Sequence, residues 1–281
     1  MTKRLLFLAF LLVQIQSFAQ LKLARLFSDH VVLQRQKPVP VWGWAKPKEK
    51  VTVMLAGQKQ IAMADASGKW TVKFASMEAG GPHQMTVTAK SGKLEVKDIL
   101  MGEVWLCSGQ SNMEWPVRQA DNFKVEKKNA DFFQIRHFFV AHDVTMQPQT
   151  DLNSGEWKIC NEENVGNFTA VGFFFARELY QKFNVPIGLL HSSWGGSQVE
   201  GWISKEAMQT NDELKSYAEN LPKNWEEADA ILDLKTRKQV LKTEVNPTLA
   251  DEKKYTEAGY DFLKWHKADS PLGQWDWKGI W

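Results

Sequence analysis

Two continuous apolar runs, separated by one amphipathic segment, constrain the fold of this chain more than any other feature. The runs ILMGEVWLCSG at 99–109 and IGLLHSS at 187–193 are typical of strands that are covered on both faces. Between them, FTAVGFFFARELYQKF at 168–183 has a helical period, and only Arg177 and Glu178 are expected to face outward. A helix followed by a buried strand indicates an α/β layer with a parallel sheet.

The residues before this layer have a different pattern. Short runs alternate apolar and polar residues, and turn residues such as Gly and Pro separate them. This spacing predicts a small antiparallel β-sandwich over residues 20–98, followed by an α/β domain that begins at residue 99 and extends to 204. The runs are PVPVWGWA at 38–45, KVTVMLAG at 50–57, WTVKFA at 70–75 and HQMTVTAK at 83–90.

The first 19 residues are typical of a secretory signal peptide. Lys3 and Arg4 form a basic start, residues 5–13 an apolar middle, and residues 17–19 a small-residue cleavage site. We expect a mature chain that starts near Gln20 and is secreted or periplasmic. Cleavage lowers the Lys and Arg count from 35 to 33, which equals the 33 Asp and Glu residues. Nucleic acid and, after signal removal, a membrane are therefore not favoured as partners.

The amino-acid composition changes twice in the last quarter of the chain. Residues 205–269 are rich in Lys, Glu, Asp and Ala, which predicts a charged, solvated helical insertion with helices around 212–220, 225–240 and 251–264. Residues 270–281 are β-like and aromatic. We expect them to start a second β domain that is cut short.

The chain has two cysteines, Cys107 and Cys160, whose state depends on the redox conditions of the compartment. In an exported chain a disulfide between them is one option. Two buried free thiols are the other.

A serine, Ser111, follows the first apolar run in the stretch WLCSGQSNMEWP at 105–116. A serine hydroxyl becomes a nucleophile when a base takes its proton and donors hold the oxyanion. A strand that opens into a helix supplies such backbone N–H donors. A second turn, with Gly195 and Gly196, follows the second apolar run. Each turn alone has a purely structural alternative, whereas two turns at two strand ends of one sheet favour a ligand site.

These motifs, taken in order, resemble those of a known enzyme family. Gly-Gln-Ser-Asn-Met at 109–113 and GGSQVEGW at 195–202 resemble the two sequence blocks of the SGNH-type carbohydrate esterases, and most closely of the sialate O-acetylesterase family. LFSDHVVLQR at 26–35 and PLGQWDWKG at 271–279 extend the resemblance over nearly the whole mature chain.

The resemblance implies a three-layer α/β/α domain of the SGNH type, incomplete here, in which Ser111 is the nucleophile. It implies no metal and no cofactor. For Glu200 it leaves two roles open, orienting the site or capping the next helix. The expected oxyanion donors are the N–H groups of Ser111, Gly196 and Gly195, and the substrate-site candidates are Gln110, Asn112 and Glu200.

Two further blocks of that family, a Gln-Gly-Glu and an Asp-x-x-His that supplies the base, have no counterpart in this chain. None of the six histidines has an Asp three residues before it. His191 is either the base or, as we prefer, a strand-end residue buried beside the site. We therefore expect an N-terminal fragment that is inactive or weakly active, with its base beyond the chain.

The sequence thus predicts a serine carbohydrate O-acetylesterase that acts on O-acetylated sialic acids or related sugars. An esterase for acetylxylan or other hemicellulose is the first alternative. A non-catalytic, secreted carbohydrate-binding protein is the second, since the base is missing. The sequence indicates no oligomeric state.

Overall fold

The computed structural model of the protein describes residues 20–145 and 147–231. Several predictions concern residues outside these ranges: the signal peptide at 1–19, most of the charged insertion, and the β-like end at 270–281. His266 also lies outside them. The chain divides into two units, which are described separately. Within the described ranges, the first unit holds residues 20–143 and 149–195, and the second holds the remainder.

The first unit contains eleven strands and three short or medium helices in its described part. The strands are β1 (Lys22–Leu23), β2 (Val32–Gln34), β3 (Val39–Trp44), β4 (Lys50–Leu55), β5 (Gln58–Met63), β6 (Lys69–Phe74), β7 (Gly80–Ala89), β8 (Gly92–Gly109), β9 (Phe132–Phe139), β10 (Trp157–Cys160) and β11 (Ile187–Ser193). The helices are α1 (Ser111–Glu114), α2 (Phe123–Lys128) and α3 (Ala170–Phe183).

The four runs with alternating residues all form strands, and they pair antiparallel as predicted. β1, β3 and β6 make a sheet of three strands, while β5, β4 and β7 continue into the larger sheet through β8. Inward residues of the two sheets, among them Val41, Val53, Trp70 and Met85, belong to one buried cluster. Strand β5 was not predicted, because its residues alternate only between half-buried and exposed.

Strand β8 runs across the predicted domain boundary between residues 98 and 99. Its first half pairs antiparallel with β7, and its second half pairs parallel with β11. Asp98 takes a left-handed backbone conformation inside this strand, with φ of 55°, and accepts hydrogen bonds from Arg136 and His30. The antiparallel and parallel parts of the larger sheet therefore share strand β8. A separate sandwich domain over 20–98 stays a prediction.

The predicted parallel pairing of the two apolar runs is confirmed. β11 lies between β8 and β9 and is parallel to both, and β10 closes this side of the sheet antiparallel to β9. The mixed α/β architecture is thus established for the described residues, whereas the complete three-layer arrangement stays a prediction.

Helix α3 starts two residues later than predicted, because Thr169 caps it by accepting a hydrogen bond from the Gly172 N–H. It ends at Phe183 as predicted. The prediction that only two charged residues face outward was wrong. Val171 and Phe175 are exposed, and Arg177 turns back to pair with Glu126.

The second unit is described by two short helices, α4 (Lys205–Gln209) and α5 (Lys215–Glu219), after a 3₁₀ turn at Val199–Trp202. The α4 helix is capped by Ser204, whose hydroxyl accepts from the Ala207 N–H, so the capping role weighed for Glu200 was wrong. The predicted helix around 212–220 is present in part, and residues 225–231 are helical.

No helix within residues 20–145 and 147–231 is long and apolar enough to cross a membrane.

The closeness of α3 to the sheet generates a prediction about Gly172. A Cβ there would lie 2.9 Å from the Cys107 sulfur and 2.7 Å from the Thr169 methyl. We predict that Gly172→Ala lowers the free energy of unfolding by about 1–3 kcal/mol, because crowding outweighs the gain of about 1 kcal/mol in helix propensity. Urea unfolding measures the change.

Val171→Ala is the matched control, since Val171 is exposed on the same turn of α3 and its substitution tests helix propensity alone. If Gly172→Ala stabilises the protein as much as this control, the tight packing described here is contradicted.

Candidate active site

Ser111 lies where β8 ends and α1 begins, as the sequence predicted. Gly109 is the last strand residue and has a φ of 136°, which an L side chain adopts only with strain. The Gln110 carbonyl accepts hydrogen bonds from the Met113 and Glu114 N–H groups and starts the helix. Ser111 is the first helical residue and is exposed. Its hydroxyl is thus presented to solvent at a strand end.

Ser111 opens onto a cavity of about 1090 Å³. The wall combines hydroxyls, carboxylates, cationic side chains, imidazoles and aromatic rings. Among the lining residues are Ser111, Glu114, Trp115, His137, Phe139 and His191. Aromatic faces beside a few convergent polar groups are typical of small-molecule sites.

The two turns that the sequence singled out meet in the structure. The Trp194 N–H donates to the Gly109 carbonyl at 3.0 Å and joins the ends of β8 and β11. A Cβ on Gly195 would lie 3.6 Å from Cα of Ser111 and 2.7 Å from a Glu114 carboxylate oxygen. A side chain at 195 would therefore push the two turns apart.

Glu114 links these turns, although the sequence analysis did not single it out. Its Oε2 accepts the hydrogen bond of the Gly195 N–H, and its Oε1 lies 3.1 Å from Nε2 of His142. The same His142 nitrogen lies 2.8 Å from the Ser193 carbonyl oxygen, and its ring stacks on Trp194. The one available signal was helical spacing, because residues three apart share a helix face and Glu114 follows Ser111 by three.

His191 is buried at the end of β11, which agrees with the role we preferred for it. Its Nε2 lies 2.6 Å from the Ser193 hydroxyl, and its Nδ1 lies 3.1 Å from Nε2 of His137. Among the described residues, no imidazole hydrogen-bonds to Ser111. The base therefore stays unassigned.

Burial keeps the two histidines neutral. It lowers the pKa of His137 to about 3, and the neighbouring His191 ring contributes in the same direction. Burial also lowers the pKa of His191 to about 4, although the Glu114 carboxylate opposes this shift. Neutral rings form the chain Ser193–His191–His137, and each can donate one hydrogen bond and accept another.

The remaining predicted residues fall into two groups. Gln110 and Asn112 flank Ser111 and are exposed, but neither lines the cavity. Gly196, with a φ of 78°, and Glu200 belong to the second unit. Their roles in oxyanion stabilisation or substrate binding stay predictions. The Gly195 N–H is engaged by Glu114, so its use as an oxyanion donor requires that this carboxylate releases it.

Both cysteines are buried free thiols. Burial raises the pKa of Cys107 to about 11 and that of Cys160 to about 12, so neither is a thiolate nucleophile at neutral pH. Within residues 20–145 and 147–231, no group of three His, Cys, Asp or Glu side chains is placed to hold a metal ion.

The buried histidines generate a prediction about pH. Their folded pKa values lie below the unfolded value of about 6.5, so the unfolded state binds more protons between about pH 6.5 and 4. Stability is therefore full above about pH 6.5 and falls as the pH is lowered. The slope is about 1.4 kcal/mol per pH unit for each proton taken up.

Urea unfolding at several pH values, for the wild type and for His191→Gln and His137→Gln, measures this slope. We expect both variants to reduce it, and His83→Gln, a substitution of a half-exposed histidine on β7, to leave it unchanged. Equal slopes in all four proteins would show that the buried pair does not carry the effect.

The chain is similar to known carbohydrate esterases. Residues 101–237 match the model of a family described as carbohydrate esterase, sialic acid-specific acetylesterase. The sialate O-acetylesterases of Mus musculus and Homo sapiens are each 35% identical over 207 residues. The alignments cover 67% of this chain and 38% and 40% of those proteins, so the chain spans about two fifths of their length.

A solved structure of a carbohydrate acetylesterase from Xanthomonas citri is also similar. It superposes with a TM-score of 0.66 at 43% sequence identity, over 68% of this chain and 44% of that one. Residues 101–237 thus match the sialic acid-specific acetylesterase family of the carbohydrate esterases.

Proposed function

We propose that the protein is a serine carbohydrate O-acetylesterase with Ser111 as its nucleophile. The Ser111 oxygen attacks the acetyl carbonyl, its proton passes to a base, and the sugar hydroxyl leaves. Water then hydrolyses the acetyl-enzyme and releases acetate. The observation that carries this proposal is the place of Ser111, exposed at the end of β8, against Gly195 and at the wall of a large cavity.

Backbone N–H groups are available for the oxyanion. The first N–H groups of a helix have no partner inside it, which supports the Ser111 N–H as one donor. We propose the N–H groups of Gly196 and Gly195 as further donors. The Gly195 N–H can serve only when the Glu114 carboxylate releases it. No metal or cofactor enters this reaction.

The base is proposed to lie outside the described residues. His191 is occupied by Ser193 and His137, and Ser111 has no imidazole partner within the described part. A triad enzyme without its base retains only the rate that the oxyanion hole and binding provide. The acetyl transfer proposed here therefore depends on that base.

The cavity favours an anionic sugar, which supports O-acetylated sialic acid as the substrate. Arg25 and Arg118 line it, and their guanidinium groups donate to neutral oxygens, those of Leu152 and Asn167. Of the cavity carboxylates, Glu156 is paired with Lys158, and Glu114 accepts the Gly195 N–H and lies beside His142. Two guanidinium groups with no carboxylate partner among the described residues thus face the cavity, where a sugar carboxylate would complement them.

Two alternatives each have an observation in their favour. The Xanthomonas citri relative is described only as a carbohydrate acetylesterase, and this wider class includes enzymes for acetylxylan and other hemicellulose. The Ser111 hydroxyl has no hydrogen-bond partner among the residues that the structure describes, which favours a non-catalytic carbohydrate-binding protein. In either case we propose that the chain is exported, on the strength of residues 1–19, and a mature mass that starts near Gln20 would support this.

The first test of the proposal is Ser111→Ala. We predict that this variant releases acetate from 4-nitrophenyl acetate at least about 10²-fold more slowly than the wild type, because the nucleophile is gone. Ser76→Ala, an exposed serine in the same unit, is the matched control. A wild type no faster than Ser111→Ala favours the binding protein, and equal, substantial rates in both would place the nucleophile elsewhere.

The substrate class is tested with Arg118→Gln. We predict that KM for O-acetylated sialic acid rises about tenfold, because a charge-assisted hydrogen bond is lost, while KM for acetylated xylo-oligosaccharide changes little. Lys124→Gln, an exposed cation on α2 outside the cavity lining, is the control. Equal effects on both substrates would contradict recognition of a carboxylate.

A further inference from the structure

Glu114 joins the carboxyl ends of three parallel strands. It lies on α1, which follows β8. One carboxylate oxygen accepts the Gly195 N–H, two residues past the end of β11. The other faces His142, three residues past the end of β9. A single side chain thus connects the three segments that surround Ser111.

The contacts of Ser193 and Trp194 reinforce this connection. Nε2 of His142 lies within hydrogen-bond distance of both Glu114 and the Ser193 carbonyl. The His142 ring stacks on Trp194, with centroids 4.3 Å apart and planes within 5°. The Ser193 hydroxyl is held from the other side by His191. The turn at 193–195 is therefore fixed at its side chain, its carbonyl and its N–H.

The distance between this turn and Ser111 depends on Glu114. Gly195 packs so close to α1 that a Cβ would contact both Ser111 and Glu114. The Glu114 carboxylate holds this approach by accepting a hydrogen bond from the Gly195 N–H. Hydrogen bonds between a carboxylate and backbone N–H groups are stronger than neutral ones.

We propose that Glu114 is a positioning residue, whose carboxylate holds the Ser193–Gly195 turn against α1 and so sets the geometry between Ser111 and the backbone of that turn. The proposal rests on the proposed esterase function for its catalytic consequence. It does not rest on that function for the contact itself.

The contacts of Glu114 favour a positioning role for this residue over a role as the proton acceptor of Ser111. Both oxygens of Glu114 are engaged, one by Gly195 and one by His142, and neither is hydrogen-bonded to Ser111. The titratable groups that face Glu114 are His142 and His191. A base for Ser111 would instead need an oxygen directed at the serine hydroxyl.

The contact is tested first without any substrate, by amide hydrogen exchange of Gly195 in the full chain. We expect Glu114→Ala to accelerate exchange about tenfold or more, because a charge-assisted hydrogen bond is lost. Glu114→Gln keeps an acceptor oxygen and should stay within about threefold of the wild type. Glu95→Ala, which removes a carboxylate from a remote part of β8, should change nothing.

Kinetics separate positioning from base catalysis. We expect Glu114→Ala to lower kcat by about 10²-fold with a smaller change in KM, since a misplaced nucleophile costs about that much. Glu114→Gln should restore most of kcat and leave the pH–rate profile unchanged, because an amide can hold the turn but cannot accept a proton. His142→Gln keeps a donor toward Glu114, whereas His142→Phe keeps only the ring stacking. We therefore expect a higher kcat from His142→Gln than from His142→Phe.

Two results would overturn the proposal. One is unchanged Gly195 exchange in Glu114→Ala. The other is a Glu114→Gln variant as slow as Glu114→Ala with Gly195 still protected, which would make Glu114 a proton acceptor. If Glu114→Ala does not fold, the Gln variant and the two His142 variants decide the question. A wild type that releases no acetate contradicts the proposed function, while exchange still decides whether Glu114 holds the turn.

Discussion

The parallel pairing of β8 and β11 is the constraint on which the site depends. The register runs without a break from Ile187 opposite Glu103 to Ser193 opposite Gly109. Both strands therefore end at the same level, and the turns that follow them emerge side by side. A parallel pair needs a long crossover connection, and the chain between these strands supplies it through β9, β10 and α3. Residues more than 80 positions apart in sequence meet because of this register alone.

The sequence contained enough information to predict this pairing but not the contacts that follow from it. Continuous apolar runs indicate strands covered on both faces, and α3 shows its period clearly, so the strands and the helix were predictable. The Glu114–His142 contact was not, since nothing in the spacing of residues 114 and 142 relates them. It arises because β9 lies beside β11, and the order of strands in a sheet has no local sequence signal.

The continuous course of strand β8 is a second feature that local sequence patterns do not predict. Local reasoning placed a domain boundary at residue 98 because the residue pattern changes there. The pattern changes because the strand exchanges its neighbours, from β7 to β11, and not because the strand ends. Asp98 adopts a left-handed backbone at this point and is held by Arg136 of β9. A change of environment along one strand and a boundary between two domains look alike in sequence.

Two kinds of polar contact fix the turn after β11, and their electrostatics differ. Beneath the turn, His191 and His137 are buried and neutral. His191 bonds the Ser193 hydroxyl and His137 bonds His191, so neither contact introduces charge into the core. At the surface of the site, the side chains of Glu114 and His142 are each about one-third exposed, so their contact is partly open to solvent. An anion beside Ser111 would oppose the developing oxyanion if it pointed at the substrate. Because the Gly195 N–H and His142 engage both Glu114 oxygens, the carboxylate is not directed at Ser111, which suits the proposed role of Ser111 as a nucleophile.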